Sequence, residues 1–168
     1  MIVIALKLLG ILILVTAGYA GLRAAPWFPT GSMAKKKFLE LADIKPGEKF
    51  YDLGCGDGRM VAAAAEAGAK AVGFEISLLP HIVAKIRCLF LPNAKIRYRD
   101  FWRYNLSDAD LVYFFLTPQI YPKLKKKFED ELKSGARVAA YVWPIEGWTP
   151  VKIYKEAGQS GIFFYEII

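Results

Sequence analysis

The chain has 168 residues, 55% hydrophobic and 23% charged, which is enough for one domain with a sizeable core and at most a short appendage. Its only cysteines are Cys55 and Cys88, and its only histidine is His81. This composition argues against a disulfide framework and a metal site. We therefore expect no metal in this protein. The net charge is +7, but the chain has no recognisable nucleic-acid-binding motif, so we do not expect nucleic acid as a partner either.

Residues 1–24 predict a transmembrane anchor. Residues 2–22 are apolar apart from one lysine and a few small or polar side chains, and a helix of about 20 residues spans the ~30 Å core of a bilayer. A cleaved signal peptide is the alternative, because Gly18, Tyr19 and Ala20 form a small-x-small pattern. The first 40 residues carry a net charge of +4, which indicates an anionic lipid surface as partner.

Residues 25–48 predict an interfacial linker followed by a short helix. Trp27 and Phe28 suit the headgroup layer, although contact with a substrate is an equal alternative, and the flanking prolines prevent the first helix from continuing. An amphipathic helix over 32–42 should turn Phe38, Leu39 and Leu41 inward. Lys35, Lys36 and Lys37 follow the span closely, so the positive-inside rule places the remaining chain on the cytoplasmic side.

Residues 49–59, with the sequence KFYDLGCGDGR, predict a buried strand, a glycine turn and the start of a helix. Asp52 stands near the carboxyl end of the strand, and Gly54, Gly56 and Gly58 alternate through the turn. Because glycine accepts positive φ, we expect a tight bend whose N–H groups face a ligand beside the helix N-terminus. A nucleotide-like cofactor fits such a site.

A second acid supports the same interpretation. Glu75 ends the apolar run 71–74, roughly 20 residues beyond the turn, which is the distance that one helix and one strand require. The glycine spacing differs from the dinucleotide pattern G-x-G-x-x-G. A turn without ligand and a nicotinamide cofactor remain the alternatives.

Alternating patterns continue along the chain and predict an α/β fold. We expect a Rossmann-like, mostly parallel sheet of seven strands that ends in a hairpin, with no room for an inserted lid. The predicted helices are 59–67, 78–90 and 119–133, and the strands after the first are 70–75, 95–99, 111–116, 136–143, 151–155 and 162–167, the last two joined by a turn at 158–161.

The glycine turn and Glu75 resemble motif I and the second acid of the class I S-adenosylmethionine (SAM)-dependent methyltransferases. The later motifs extend the resemblance over nearly the whole chain, to the membrane-anchored lysine methyltransferases of the mitochondrial ATP synthase c-subunit and adenine nucleotide translocase type and their prokaryotic relatives. These later motifs are Asp100-Phe101-Trp102, Asn105-Leu106-Ser107, Pro118-Gln119, Trp143-Pro144 and Trp148-Thr149-Pro150.

The resemblance implies SAM as the cofactor. Asp52 would lie near the methionine ammonium and Glu75 would hold the ribose hydroxyls, while Asp100 would accept from the adenine amino group. A solvated Asp100 beside a core aromatic pair is the alternative. The implied cofactor residues are Asp52, Gly54, Cys55, Gly56, Asp57, Gly58, Glu75, Asp100 and Phe101.

The acceptor site would follow the fourth strand. Thr117 and Gln119 could hydrogen-bond a neutral amine, with Pro118 between them and Tyr121 beyond. The chain departs here from the Asp or Asn, prolines and aromatic of many amine methyltransferases, and it offers no obvious general base. A helix start at Pro118 and packing of Tyr121 are the alternatives.

The sequence thus predicts a single-pass membrane enzyme with an anchor at 1–24, a linker and leading helix at 25–48 and a cytoplasmic SAM-dependent methyltransferase domain at 49–168. A cytosolic cofactor favours an uncleaved anchor. The expected reaction is lysine N-methylation of a membrane protein. Alternatives are methylation of a lipid amine or small molecule, and a non-catalytic nucleotide-binding membrane protein. The lysines at 123 and 125–127 would dock acidic lipid or protein, or form a solvated face.

Overall fold

The computed structural model describes residues 1–25, 27–155 and 160–168, so Pro26 and the predicted turn residues 158 and 159 lie outside the described residues. Short 3-10 helices occupy Phe101–Arg103 and Pro118–Ile120. The helices are α1 (Ile2–Arg23), α2 (Ser32–Ala42), α3 (Arg59–Glu66), α4 (Leu78–Arg87) and α5 (Tyr121–Glu131). The strands are β1 (Lys49–Leu53), β2 (Lys70–Glu75), β3 (Ala94–Tyr98), β4 (Leu111–Phe114), β5 (Arg137–Val142), β6 (Lys152–Tyr154) and β7 (Gly161–Glu166).

All seven described strands form one sheet with the order β3-β2-β1-β4-β5-β7-β6. Neighbours from β3 to β5 are parallel, and β7 is antiparallel to both β5 and β6. The predicted α/β fold with a C-terminal hairpin is therefore confirmed. The sheet changes winding direction between β1 and β4, and ligands of open α/β sheets bind at the carboxyl ends beside such a point.

The two central strands carry apolar side chains on both faces, as a sheet covered on both sides requires. Leu53 and Phe114 belong to the core on one side, together with Phe128 of α5. Phe50 belongs to the core on the other side, where α2 and α3 pack, with Val61 of α3 beside it. The carboxyl ends of β1 and β4 are thereby fixed between two packed layers.

Helix α2 packs through Phe38, whose side chain is fully buried. Its ring centroid lies 4.9 Å from that of Tyr113, 5.9 Å from Phe50 and 6.0 Å from Phe164. Leu39 and Leu41 are half-buried at the edge of the same cluster. The leading helix therefore contributes to the core of the sheet domain.

Helix α1 differs from the others because almost all of its side chains are exposed. In the part of the chain that the structure describes, it is the one helix whose length and composition allow it to cross a membrane, and both properties are shared by signal sequences. Its C-terminal third contacts the domain, since Thr16 Oγ1 accepts a hydrogen bond from the backbone N of Leu78 at 3.2 Å.

We expect Phe38→Ala to lower the free energy of unfolding by about 3–5 kcal/mol, because it removes a large buried ring and leaves a cavity. Denaturant unfolding measures this change. Met33→Ala, in the same helix but at an exposed position, is the control and should change stability by less than ~0.5 kcal/mol. Equal stability of the two variants would contradict the packing of α2.

Candidate active site

A cavity lies at the carboxyl ends of β1, β2 and β4, at the point where the sheet changes winding direction. Asp52 of β1, Glu75 of β2 and Asp100 just after β3 line it. Residues from the end of α1 and the stretch that follows α1 line the opposite side. The cavity thus combines acidic strand ends with a wall from the N-terminal segment.

The glycine turn is tied to β2 by its backbone. The N–H groups of Gly54 and Cys55 both donate to the carbonyl of Phe74, at 3.0 and 2.9 Å, and Gly56 N donates to Glu75 Oε2 at 2.9 Å. The expectation that these N–H groups face a ligand is therefore wrong, because the adjacent strand accepts them first. Their effect is to fix the turn and the Glu75 carboxylate.

Gly56 shows why the turn needs glycine. Its φ is 54°, and a Cβ at this position would lie 2.8 Å from the Cδ1 and Nε1 atoms of Trp27. Such a distance is shorter than real Cβ contacts, so any side chain would displace the indole. Trp27 therefore lies directly against the glycine turn.

Glu75 is held by three backbone amides. Besides Gly56, the N–H groups of Ile76 and Ser77 donate to its Oε1 at 2.8 and 2.6 Å. Burial raises the pKa of this carboxyl, although the three amide bonds act in the opposite direction. The amides fix its orientation on the cavity wall.

Asp52 is the most deeply desolvated acid of the site. Burial raises its pKa well above the usual carboxyl range, and the nearby Glu75 and Asp57 raise it further. Its side chain lines the cavity. A buried, ionised carboxylate is costly unless a cation accompanies it, so this position favours a positively charged ligand.

Asp57 has its cations supplied by the protein. Its Oδ2 accepts from Arg59 Nη2 and Arg87 Nη2, both at 2.8 Å. Burial opposes its ionisation, but the hydrogen bond and charge of Arg59 together with the charge of Arg87 prevail and lower the pKa of Asp57. Arg59 also donates to the carbonyl of Thr30 at 2.7 Å, which links this acid to the N-terminal segment.

Residues 23–25 and 27–30 cover the cavity, and we name them the cap. Arg23 Nη2 lies 2.7 Å from Asp100 Oδ2, and Thr117 Oγ1 donates to the carbonyl of Ala24 at 2.6 Å. Thr30 Oγ1 lies 2.8 Å from the buried hydroxyl of Tyr113. The cap belongs to the N-terminal segment and is not an inserted lid, so the prediction that the chain has no room for an inserted lid stays a prediction.

The structure brings together the residues predicted to hold the cofactor. Eight of the nine line the cavity. Gly58 does not, since it packs against Ala84 of α4, where a Cβ would approach within 2.9 Å. Asp100 is paired with Arg23 and accepts from Trp102 N at 3.0 Å. Their individual roles toward the cofactor stay predictions.

The four residues predicted at the acceptor side do not line the cavity. Thr117 bonds to the cap, and Pro118 and Gln119 are exposed. Tyr121 is buried against Phe114 at a ring-centroid distance of 5.2 Å. Their contact with an acceptor stays a prediction.

Sequence reasoning missed several residues of the site. Phe115 and Leu116 follow β4 as part of an apolar run that reads as core, and Arg59 reads as an ordinary helix start. The aromatic pair 27–28 between two prolines was the available signal for the cap. The missed residues that line the cavity include Arg23, Arg59, Met60, Arg99, Tyr113, Phe115 and Leu116.

Sheet, glycine turn and acidic strand ends together define a SAM-dependent methyltransferase. An RNA methyltransferase from Salinibacter ruber, solved with S-adenosyl-L-homocysteine, superposes with a TM-score of 0.78 over 83% of this chain and 94% of its own, at 29% identity. The cofactor of the present protein is SAM. The site fits this cation-bearing group, because the buried carboxyl of Asp52 lines the cavity.

The chain belongs to a more specific family. Residues 52–152 match the ANTKMT methyltransferase domain. A protein-lysine N-methyltransferase of Saccharolobus islandicus is 36% identical over 135 residues, which cover 77% of this chain and 84% of the relative. The lysine N-methyltransferase of the ATP synthase c-subunit from Rattus norvegicus is 36% identical over 130 residues, 74% of this chain but only 59% of the rat protein. The chain is a member of the ANTKMT methyltransferase family.

We expect Glu75→Ala to weaken SAM binding by at least about tenfold, since a hydrogen bond to a charged group contributes about 1.5–3 kcal/mol. Equilibrium dialysis with labelled SAM measures the affinity, and circular dichroism verifies the fold. Glu66→Ala removes an exposed carboxylate on α3 and should leave the affinity unchanged. Unchanged affinity in Glu75→Ala would refute the cofactor assignment.

Asp52 makes a separate prediction on pH. Because its folded-state pKa is raised, the cofactor-free protein loses stability as pH rises from about 4 through that pKa. Asp52→Asn should therefore melt at a higher temperature than wild type at neutral pH without SAM, show a smaller decline with pH, and gain less from added SAM. The exposed control Asp130→Asn should follow wild type throughout. A lower melting temperature for Asp52→Asn would contradict the electrostatic strain.

Proposed function

We propose that the protein methylates lysine side chains of a membrane protein from the cytoplasmic side. In this proposal residues 1–24 are an uncleaved anchor, residues 25–48 connect it to the site, and residues 49–168 form the methyltransferase domain. The family membership and the lysine methyltransferase names of the relatives support the amine acceptor. The exposed apolar helix α1 supports the anchor.

The observation that carries the acceptor proposal is an aromatic wall beside the cavity. We use this name for Phe28, Phe115, Tyr141 and Trp143. Phe28 and Phe115 line the cavity, with ring centroids 6.1 Å apart. Phe115 then contacts Tyr141 at 4.8 Å and Trp143 at 6.1 Å. Since Phe28 and Trp143 are exposed, the wall leads from the cavity to solvent.

Such a wall suits a lysine side chain. Aromatic faces attract ammonium and methylammonium groups by about 0.5–2 kcal/mol, and their apolar area packs on the methylene stem. The carboxylates that line the cavity in the described residues are Asp52, Asp57, Glu75 and Asp100. The wall itself consists of uncharged side chains and adds no anion that would keep the amine protonated.

When bound, SAM would supply an electrophilic methyl group on a cationic sulfur, and transfer to a neutral amine would exchange the S–C bond for an N–C bond and leave S-adenosylhomocysteine. The open end of the wall would let the proton of the amine pass to solvent. The acidic strand ends hold the cofactor's cationic end, while the wall aligns the lysine. Alignment alone contributes up to about 7–11 kcal/mol, so a dedicated base is unnecessary.

Membrane confinement favours an acceptor in the same membrane. An anchor holds the cavity close to the headgroups and raises the effective concentration of any protein confined to the same surface. Arg23 at the end of α1 and the lysines that begin α2 are basic, which supports the cytoplasmic orientation.

Incubation of membranes with methyl-labelled SAM tests the proposal. We expect the label in the protein fraction as methyllysine. Label only in lipid would refute the lysine acceptor and favour a lipid amine, and label only in soluble metabolites would refute the membrane acceptor as well.

Within this assay, Phe115→Ala should lower transfer to protein by about tenfold or more, because it removes the centre of the aromatic wall, a loss of ~1.4 kcal/mol or more. Its SAM affinity should change much less. Val151→Ala, an exposed apolar residue away from the wall, is the control and should retain full activity. Full activity in Phe115→Ala would contradict the aromatic wall as the acceptor channel.

A further inference from the structure

Helix α4 exposes a row of apolar side chains on its outer face. Pro80, Ala84 and Cys88 are buried toward the sheet at intervals of four residues. On the other face most exposed residues are apolar, whereas a solvated helix would expose polar side chains. The exposed apolar residues are Leu79, Ile82, Ile86, Leu89 and Phe90, the last two in the turn that follows the helix, with 67% exposure for Ile86 and 90% for Phe90. Lys85 and Arg87 are exposed beside them.

The same edge of the domain is strongly basic. Between residues 76 and 99 the chain has no Asp or Glu. This stretch comprises α4 and β3, and β3 is an edge strand of the sheet. Arg87 pairs with Asp57, and the guanidinium groups of Arg97 and Arg99 lie 5.3 and 5.8 Å from the ring centroid of Tyr104. Lys85 and Lys95 are the remaining cations of this stretch. Apolar side chains flanked by lysines are typical of helices that lie in the headgroup layer of anionic membranes.

Helix α5 provides the contrast. Its lysine run, expected to dock acidic lipid or protein or to form a solvated face, is largely compensated within the helix. Lys126 lies 3.2 Å from Asp130, and Lys127 lies 2.5 Å from Glu131 and is itself buried. This face of α5 is therefore a weaker candidate for an anionic surface than the α4–β3 edge.

The packing of α1 brings this edge to the bilayer. Thr16 accepts from the backbone N of Leu78 at the start of α4, whereas Arg23 pairs with Asp100. From Thr16 to Arg23 the helix rises about 10 Å. If α1 crosses the bilayer, its contact with Leu78 therefore holds the start of α4 close to the membrane.

We propose that the α4–β3 edge is a second membrane-binding surface, with the apolar row of α4 inserted at the headgroup–acyl boundary of an anionic bilayer and the basic residues at the phosphates. This inference rests on the proposed anchoring by α1. It holds the domain on the bilayer at two places, so the orientation of the cavity relative to the membrane is fixed.

Depth-dependent fluorescence quenching tests this surface on the full chain in vesicles of phosphatidylcholine and phosphatidylglycerol with brominated acyl chains. An environment-sensitive label is placed on Phe90→Cys, on Leu12→Cys within α1, or on Lys126→Cys on α5. Both native cysteines are buried, and wild type treated in parallel gives the background. We expect the label at position 12 to be quenched. We also expect the label at position 90 to be quenched, at least about threefold more than the label at position 126, because such helices insert about 5–10 Å.

The possible outcomes distinguish the anchoring by α1 from the second membrane-binding surface. Quenching at 12 with none at 90 would leave the anchor standing and overturn the second surface, and the apolar row would then await a protein partner. No quenching at 12 or at 90 would overturn both. Equal quenching at 90 and 126 would overturn the proposed orientation. Lys85→Glu with Lys95→Glu should reduce quenching at 90 but not at 12, and an unchanged signal would overturn the electrostatic part.

Discussion

The site depends on the burial of three carboxylates in one small volume. Burial raises the pKa of Asp52, and the charges of Glu75 and Asp57 raise it further, while burial alone opposes the ionisation of the other two carboxyls. The protein stabilises two of them internally, Asp57 with two arginines and Glu75 with three backbone amides. The charge of an ionised Asp52 would be stabilised by a ligand. A cation-bearing cofactor supplies the missing charge, so the strain of the free protein and the selectivity of the cavity have the same origin.

The cap connects this electrostatic site to the N-terminal helix. Trp27 lies on the glycine turn, Thr30 bonds to Tyr113, and Arg23 pairs with Asp100. The Arg23 side chain is partly exposed, and ion pairs of this kind contribute only about 0–1 kcal/mol. The cap is therefore held by several weak contacts rather than by one strong one, which suits a segment that must admit and release cofactor and product. Because the cap begins at the last residue of α1, access to the cavity involves the same stretch of chain as the proposed attachment to the membrane.

Much of the fold could be predicted from local patterns. Strands β1 and β2 follow simple periodicities, and the glycine turn between them is short. The acids at 52 and 75 are close to this turn in sequence. The contacts of the cap could not be predicted, since Arg23 and Asp100 are 77 positions apart and no local pattern joins them. The direction of the turn amides was missed because the pairing of β2 decides it. Phe115 and Trp143 resemble core residues in sequence. They lie beside the cavity because each follows the carboxyl end of its strand, which the sequence pattern alone does not reveal.

Calorimetric titration of the full chain in detergent micelles tests the central claim most directly, namely that the acidic cavity under the cap is a SAM site. SAM, S-adenosylhomocysteine and NADH would be titrated separately at neutral pH. The structure predicts that SAM and S-adenosylhomocysteine bind to a single site and that both lose affinity in Asp52→Asn, because both carry the methionine ammonium expected beside the buried Asp52 carboxylate. NADH should give no binding heat. Binding of NADH without SAM, or unchanged affinity for both adenosyl ligands in Asp52→Asn, would contradict the account.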